Sequence, residues 1–384
     1  MELYQGKKFG FGCMRLPLLA PQDPTSFDFT LIEELFDGFL DRGYTYFDTA
    51  YVYHAYHAEE AVRRALVERH PREAFQLATK LPLRDFEDAA GMERIFDEQL
   101  RNCGVDYFDF YLLHNLGANS YPKCCKLDAF GFVQRKKAEG KAKNVGFSFH
   151  DTPELLEEIL TAHGAEMDFV QLQINYADWE QPNVQSRRCL EVAAAHHKPV
   201  IVMEPCKGGT LVNLPENAQN LLRAKDPAAS NARWAFRFAA EQEGVFMVLS
   251  GMNAMAQLDD NTATFDHLRP LDEGELELVH RVGAVLNGEA AVACTACGYC
   301  THDCPKNIPI PQDFALYNSI KRTTGAFSSQ MVYYNNLALS HGKASECIGC
   351  KQCERACPQH LPITELLKDV VEKFEKNSIT PVRR

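Results

Sequence analysis

The sequence predicts an α/β fold: a (β/α)8 TIM barrel followed by a small, mainly helical domain. Short runs rich in β-branched and aromatic residues alternate with amphipathic helical stretches through residues 1–270, which is typical of a parallel sheet built from βαβ units. With the opening segment KKFGFGCM, we count eight such runs in about 250 residues, the number and size typical of this barrel. A second region is set apart by its cysteines, which crowd into two short runs after residue 290.

The strands predicted after the first are 45–48, 75–80, 107–114, 144–149, 169–174, 199–205 and 245–250. Helices are predicted between them at 29–43, 58–70 and 153–164, and Gly43 ends the first of these. A doubly wound open sheet is the alternative α/β fold. It is disfavoured because no GxGxxG segment opens a helix after a strand.

We divide the chain into a barrel at 1–270, a linking helix at 271–289 and a C-terminal helical domain at 290–384. Between the two cysteine runs, residues 309–325 and 327–345 predict two helices, and 363–376 predicts a short amphipathic helix.

Composition excludes several classes of function. Of 384 residues, 46% are hydrophobic and 24% charged, which is ordinary for a globular protein with a sizeable core. The formal charge of −12 argues against a nucleic-acid partner, because phosphate contacts need a basic surface. The N-terminus lacks a basic segment followed by an apolar one, and no apolar run reaches about 18 residues. We therefore expect a cytoplasmic protein without membrane contact.

Polar side chains terminate the predicted strands. In a barrel of this kind the strand ends converge on one mouth, where the chemistry is carried out. The residues concerned are Asp48, Lys80, His114, Ser148, Gln173, Asn175, Glu204 and Ser250. A tyrosine near such a mouth can protonate a carbonyl oxygen if a neighbouring ammonium lowers its pKa.

These stretches resemble the aldo-keto reductase superfamily over roughly residues 5–270. The segments FDTAYVY, LATK and YFDFYLLH match the family's catalytic tetrad at Asp48, Tyr53, Lys80 and His114. The resemblance implies that Tyr53 is the proton donor, that Lys80 and Asp48 lower its pKa, and that His114 orients the carbonyl group. The resemblance also implies a small carbonyl or alcohol substrate.

The resemblance also implies an extended nicotinamide cofactor, NADH or NADPH. Ser148 and Gln173 match the residues that hold the nicotinamide carboxamide, and Met203 takes the place of an aromatic residue that packs under the ring in many relatives. The pyrophosphate loop matches Lys207, Gly208 and Gly209, and the adenosine segment includes Gln257 and Asn261.

The cofactor preference is inferred from the adenosine segment. Ala254 and Gln257 stand where relatives that prefer NADP carry a basic residue, and Asp259 and Asp260 are close by. A 2′-phosphate would gain no cationic partner from these positions, so we expect NADH to be preferred. The alternative is that a basic residue from a neighbouring loop binds the phosphate.

Each cysteine run has the spacing Cys-x2-Cys-x2-Cys-x3-Cys-Pro, as in bacterial ferredoxins, where the fourth cysteine binds the other cluster. This predicts one [4Fe–4S] cluster on Cys294, Cys297, Cys300 and Cys357, and a second on Cys347, Cys350, Cys353 and Cys304. Zinc is the alternative, but zinc sites usually combine two cysteine pairs across a longer loop. The other cysteines are expected to be ordinary thiols: Cys13, Cys103, Cys124, Cys125, Cys189 and Cys206.

Barrel and cysteine runs together resemble the ferredoxin-bearing branch of the aldo-keto reductases, in which a two-cluster helical ferredoxin domain follows the barrel. The resemblance implies an oxidoreductase that interconverts a carbonyl and an alcohol, with clusters that exchange single electrons with a protein partner. Because nicotinamide transfers electron pairs and no flavin-binding pattern is present, electron transfer between the two sites does not follow from the sequence. The alternative is a non-catalytic barrel that senses nicotinamide or binds a partner, with structural or oxidant-sensing clusters.

Overall fold

Eight parallel strands close into a barrel in the computed structural model, in the order in which they occur along the chain. The structure describes residues 4, 6–21, 23–118, 120–181, 184–288, 291–292, 294, 298–302, 304–321, 328–357 and 361–376. The strands are β1 Phe9–Gly12, β2 Tyr46–Asp48, β3 Gln76–Pro82, β4 Phe108–Leu116, β5 Ala142–Phe149, β6 Phe169–Gln173, β7 Val200–Met203 and β8 Val245–Ser250. Pairing of Phe11 with Ser250 joins the first strand to the last, which confirms the barrel and excludes the open sheet.

The strand boundaries differ slightly from those predicted. Strand β4 continues to Leu116, beyond the predicted end at residue 114. Strand β7 ends at Met203, two residues before its predicted end, because Glu204 adopts a positive φ of 56°, which an extended strand cannot continue.

Ten helices surround the barrel in the described part of the chain: α1 Phe29–Asp41, α2 Ala58–Val62, α3 Ala89–Cys103, α4 Tyr121–Lys126, α5 Ala129–Ala138, α6 Pro153–His163, α7 Ser186–Ala195, α8 Glu216–Lys225, α9 Asn231–Glu241 and α10 Met255–Asp266. Helix α1 begins where the side chain of Asp28 accepts a hydrogen bond from the N–H of Leu31, and it ends just before Gly43, whose φ is 77°. The helix predicted at 58–70 is shorter, because α2 gives way to a π-turn at Arg63–Val67.

The barrel interior is apolar at one end. A buried cluster inside the strands fills it: Tyr46, Ala78, Phe110, Leu112, Phe169, Ile201, Met247 and Leu249. Gly146 makes room for this packing, since a Cβ there would lie 2.4 Å from the carbonyl oxygen of Phe169. Side chains alternate along a strand, so Asp48, Lys80 and His114 point inward with this cluster but lie nearer the carboxyl ends of their strands. Polar groups inside the barrel are therefore confined to its carboxyl-end mouth.

Helix α11, Glu273–Gly288, occupies the segment predicted as a linking helix and packs on the barrel through Val279, Val282 and Leu286. A buried ion pair reinforces this contact, with Nη2 of Arg237 at 2.5 Å from Oε2 of Glu275.

The C-terminal domain is helical and has its own apolar core. Its helices are α12 Tyr299–His302, α13 Ile310–Ile320, α14 Ser329–Ser340, α15 Gln352–Ala356 and α16 Ile363–Val371. Within the described ranges, no helix of the chain is both long and apolar enough to cross a lipid bilayer.

Candidate active site and cluster-binding residues

The centre of the barrel mouth is the ammonium group of Lys80, whose side chain is almost fully buried. Its Nζ lies 2.6 Å from Oδ1 of Asp48, 2.7 Å from the carbonyl oxygen of Thr49 and 3.4 Å from the hydroxyl of Tyr53. Burial lowers the pKa of Lys80, but Asp48 and Tyr53 together more than offset this, so the ammonium keeps its charge. A charged donor is thus held against a phenol in a water-poor pocket.

The tyrosine pKa differs from the expectation. Burial raises the pKa of Tyr53 above its ordinary value, and the Lys80 ammonium opposes this shift. The Asp48 carboxylate raises the pKa as well, because a second negative charge nearby disfavours the phenolate. Lys80 thus shifts the pKa of Tyr53 in the expected direction, whereas the direct effect of Asp48 has the opposite sign. Asp48 also holds the Lys80 ammonium in place.

His114 lies beside the tyrosine, with ring centroids 5.9 Å apart and an interplanar angle of 83°. Burial lowers the pKa of His114 well below its usual range, and the charge on Lys80 adds to this effect. The imidazole is therefore neutral at physiological pH and can donate one hydrogen bond. The structure thus brings the four predicted tetrad residues together at one mouth.

The residues expected at the nicotinamide carboxamide also lie at this mouth. The hydroxyl of Ser148 accepts a hydrogen bond from the N–H of Asn115 at 2.8 Å. The amide nitrogen of Gln173 donates to Oδ2 of Asp178 at 2.7 Å, which fixes the orientation of its side chain. The Oε1 of Gln173 is buried and has no hydrogen-bond partner among the described residues. Such an orphaned acceptor fits the amide N–H₂ of a nicotinamide.

Lys207, the first residue of the loop matched to the pyrophosphate, is buried. Its ammonium forms a buried ion pair with Asp178 and so is already neutralised by a carboxylate, rather than standing free in the loop after β7. The loop itself turns sharply, with positive φ values at Lys207, Gly208 and Gly209. The N–H of Gly209 donates to the carbonyl oxygen of Cys206 at 3.0 Å, so part of the loop backbone is also committed.

The adenosine-segment residues lie on α10, after β8. Asn261 is buried and donates to the hydroxyl of Ser250 at 3.3 Å, and the side chain of Gln257 accepts from the N–H of Asn253 at 2.8 Å. The nearest described cation paired with this segment is Arg42, whose guanidinium lies 2.6 Å from Oδ1 of Asp259. Met203, at the end of β7, is half-buried.

Sequence analysis missed two residues at the mouth. Arg15, which follows the first strand, pairs with Glu204 at 3.3 Å, and its charge opposes the burial-driven rise in the pKa of Tyr53. His150, two residues after Ser148, is half-buried with its Nδ1 atom buried, and burial lowers its pKa to about 4. Their positions just beyond strand ends are the signal that could have identified them.

Four cysteines from both runs line one cavity in the C-terminal domain: Cys304, Cys347, Cys350 and Cys353. The sulfur of Cys304 accepts a hydrogen bond from the N–H of Ile308 at 3.5 Å. No three metal-ligating side chains converge on a single ion site anywhere in the described ranges. Thiolates spread around a cavity suit a cluster better than one tetrahedral ion.

The remaining predicted cluster ligands are grouped in the same core. Cys300 and Cys357 are buried and Cys294 is half-buried, and the short helices α12 and α15 that carry the two runs pack together. Cys297 lies outside the described residues. Of the six other cysteines, Cys206 is half-buried, Cys125 is exposed and the rest are buried.

Comparison with known proteins agrees with this architecture. The model of the aldo/keto reductase family matches residues 8–283, and that of the 4Fe-4S dicluster domain matches residues 293–361, which favours clusters over zinc. A probable aldo-keto reductase 1 from Glycine max is 25% identical over 292 residues, covering 67% of this chain and 80% of that protein. A component of the ion-translocating oxidoreductase complex from Buchnera aphidicola is 28% identical over 97 residues, covering 23% of this chain and 18% of that component.

Solved structures share the fold. The aldo-keto reductase AKR11C1 from Bacillus halodurans superimposes with a TM-score of 0.59 at 24% identity, over 73% of this chain and 93% of its own. An aldo-keto reductase from Klebsiella pneumoniae, solved with NADPH, gives a TM-score of 0.56 at 22% identity, over 72% of this chain and 90% of its own. With a family model spanning well over half of its length, the chain belongs to the aldo/keto reductase family and carries a C-terminal 4Fe-4S dicluster domain.

Proposed function

We propose that the barrel interconverts a carbonyl compound and its alcohol with a nicotinamide cofactor, and that Tyr53 is the proton donor and acceptor. The observation that carries the proposal is the contact of one buried ammonium, that of Lys80, with both Asp48 and the Tyr53 hydroxyl. A buried ion pair is costly to maintain, so its position beside a phenol and a neutral imidazole is better explained by catalysis than by stability.

In reduction, the nicotinamide, held by Gln173 and Ser148, would supply a hydride when bound. The hydroxyl of Tyr53 transfers its proton to the carbonyl oxygen, which gives the alcohol and leaves a phenolate. The ammonium of Lys80 stabilises that phenolate, and Asp48 keeps Lys80 charged and directed at it. The neutral imidazole of His114 donates a hydrogen bond to the same carbonyl oxygen and so orients it. Oxidation of the alcohol follows the same steps in reverse.

The cofactor proposal rests on three features of the mouth. The orphaned Oε1 of Gln173 and the hydroxyl of Ser148 would hold the carboxamide, and Met203 would pack near the ring. The loop at 207–209 would approach the pyrophosphate through its backbone, without the Lys207 charge. Gln257 and Asn261 would lie along the adenosine.

We expect the chain to use NADH better than NADPH, because its adenosine segment offers no free cation to a 2′-phosphate within the described residues. Arg42 is already paired with Asp259 at 2.6 Å. Replacement Gln257→Arg should raise kcat/KM for NADPH by about tenfold, the effect of one charge-assisted hydrogen bond, and leave NADH nearly unchanged. Steady-state assays with both nucleotides measure this. A wild-type preference for NADPH would contradict the expectation.

We also propose that the eight predicted cysteines bind two [4Fe–4S] clusters that exchange single electrons with a protein partner. The cavity shared by Cys304 and three cysteines of the second run supports the crossed arrangement. The exposure of Cys350 supports a partner-facing position for the second cluster. The Buchnera relative of this region is named as part of an oxidoreductase complex, which is the context in which such a partner would act.

This cluster role predicts different responses to two reductants. In anaerobically purified holoprotein, dithionite should bleach the visible absorbance of the clusters, because it delivers single electrons. NADH alone should not bleach it, because a hydride carries an electron pair and no flavin-binding pattern is present to split it. Clusters that resist dithionite would indicate a structural role. Bleaching by NADH alone would show that the barrel and the clusters exchange electrons directly.

A further inference from the structure

The dicluster domain reaches the mouth of the barrel through helix α14. The side-chain amide of Asn336 donates to the carbonyl oxygen of His150 at 3.0 Å, just beyond the end of β5. The same amide lies close to Gly117, where a Cβ would be 3.2 Å from its nitrogen. Helix α14 therefore rests on the loops that follow β4 and β5, the strands that carry His114 and Ser148.

Tyr333, on the same helix, extends further into the mouth. Its ring lies 5.6 Å from the ring of His150 at an interplanar angle of 85°, and only 7% of the residue is exposed. Burial raises the pKa of Tyr333, and carboxylates from the loops after β5, β6 and β7 raise it further: Asp178, Asp151 and Glu204. The hydroxyl therefore stays protonated. It forms no hydrogen bond within the described part of the chain.

His150 connects this tyrosine to the proposed catalytic residues. It lies close enough to Lys80 for the charge on that residue to lower its pKa, and it contributes in turn to the low pKa of His114. The Nδ1 of His150 is buried and lacks a hydrogen-bond partner among the described residues. A buried nitrogen without a partner thus lies in a residue whose ring contacts that of Tyr333, next to the tetrad.

The charged side chains near Tyr333 and His150 form ion pairs with one another. Four cations are paired with carboxylates here: Lys80 with Asp48, Arg15 with Glu204, Lys207 with Asp178 and Arg84 with Asp85. A substrate carboxylate or phosphate would therefore meet no uncompensated positive charge among these four. A neutral hydroxyl group can instead donate to the imidazole, which satisfies the orphaned nitrogen, and accept from the phenol of Tyr333.

We propose that Tyr333 is a specificity-determining residue of the carbonyl site: with His150 it binds a hydroxyl group adjacent to the carbonyl of a neutral, hydroxylated substrate. The substrate site is then built from both domains. This inference rests on the proposed reductase function, and it explains why a helix of the dicluster domain covers the barrel mouth.

The test uses two ketones of nearly equal shape, hydroxyacetone and 2-butanone, which differ by a hydroxyl group in place of a methyl. The wild-type holoenzyme should prefer hydroxyacetone in kcat/KM. Replacement Tyr333→Phe should reduce that preference by about fivefold, the effect of one neutral hydrogen bond, and leave kcat/KM for 2-butanone within about twofold. An unchanged preference in Tyr333→Phe would overturn the proposal.

Tyr334→Phe is the matched control, because this neighbouring hydroxyl binds Glu375 and the N–H of Ala344 within its own domain. It should leave the preference unchanged. Binding is measured separately in a Tyr53→Phe background with reduced nicotinamide present, where no turnover occurs. There, Tyr333→Phe should weaken the binding of hydroxyacetone but not that of 2-butanone. Equal weakening of the binding of both ketones would reject the inference. A wild-type enzyme that reduces no carbonyl compound would instead reject the proposed function.

Discussion

Replacement of Tyr53 by phenylalanine should abolish carbonyl reduction, with kcat falling by about 10²- to 10⁴-fold, the range for loss of a general acid. The ring remains to pack against His114, at 5.9 Å between centroids, but the proton donor is gone. The measurement is nicotinamide oxidation with a carbonyl substrate in the anaerobic holoenzyme.

The controls for this variant are properties that do not depend on the Tyr53 hydroxyl. Iron and sulfide content and nicotinamide affinity should match those of the wild type, since the hydroxyl that is removed bonds to Lys80 rather than to the cysteine runs or Gln173. Turnover that survives unchanged would show that the tetrad does not catalyse, and would return the barrel to the sensing or partner-binding role.

The pH profile of the wild type gives a second check on the same residue. Burial raises the pKa of Tyr53, so the proton donor is fully present below its ordinary pKa of about 10 and is lost only as the pH rises beyond that value. His114 has its pKa lowered well below about 6.5, so its neutral form persists as the pH falls through the range where histidine normally titrates. Reduction by the wild type should therefore show no step near neutral pH from either group.

The barrel and its polar mouth were accessible to sequence analysis because both follow from local patterns. Alternation along strands places Asp48 two residues beyond Tyr46 and Lys80 two beyond Ala78 on the same inward face, whatever the neighbouring strands are. The polar residues at the strand ends then meet at one mouth, because the strands are parallel and close into a barrel. Tyr53 required the resemblance as well, because it lies in an irregular segment where His54, Ala55 and Tyr56 all adopt positive φ.

Long-range contacts were not accessible in the same way. The pairing of Lys207 with Asp178 joins two loops separated by 29 residues, and neither loop shows a pattern that selects the other. The contact of Asn336 with His150 spans 186 residues and two domains. Such contacts depend on how helices and strands pack against one another once they have formed. The hydrophobic periodicity within one helix or strand carries no information about them. The Lys207–Asp178 ion pair and the contact of Tyr333 with His150 are therefore visible only in the structure.

Replacement of Cys304 by alanine should remove the cluster of the other run. Although Cys304 belongs to the first run, its sulfur lines a cavity with Cys347, Cys350 and Cys353. Iron and sulfide in the anaerobically purified protein should fall to about half, because one of two equivalent clusters loses a ligand. Cys125→Ala, which removes an exposed thiol outside both runs, is the matched control and should leave both values unchanged.

A single variant does not separate crossed from uncrossed binding, since either arrangement loses one cluster; paired variants do. If Cys304 binds with the second run, then Cys304→Ala combined with Cys350→Ala damages one cluster twice and still leaves about half of the iron. The combination of Cys304→Ala with Cys300→Ala damages both clusters and leaves almost none. Uncrossed binding gives the opposite result for each pair, so the two iron contents decide the arrangement. A crossed arrangement would also mean that neither cluster assembles until both runs are folded together. Cluster assembly would then depend on the helices between the runs. One of these, α14, also contacts the mouth of the barrel.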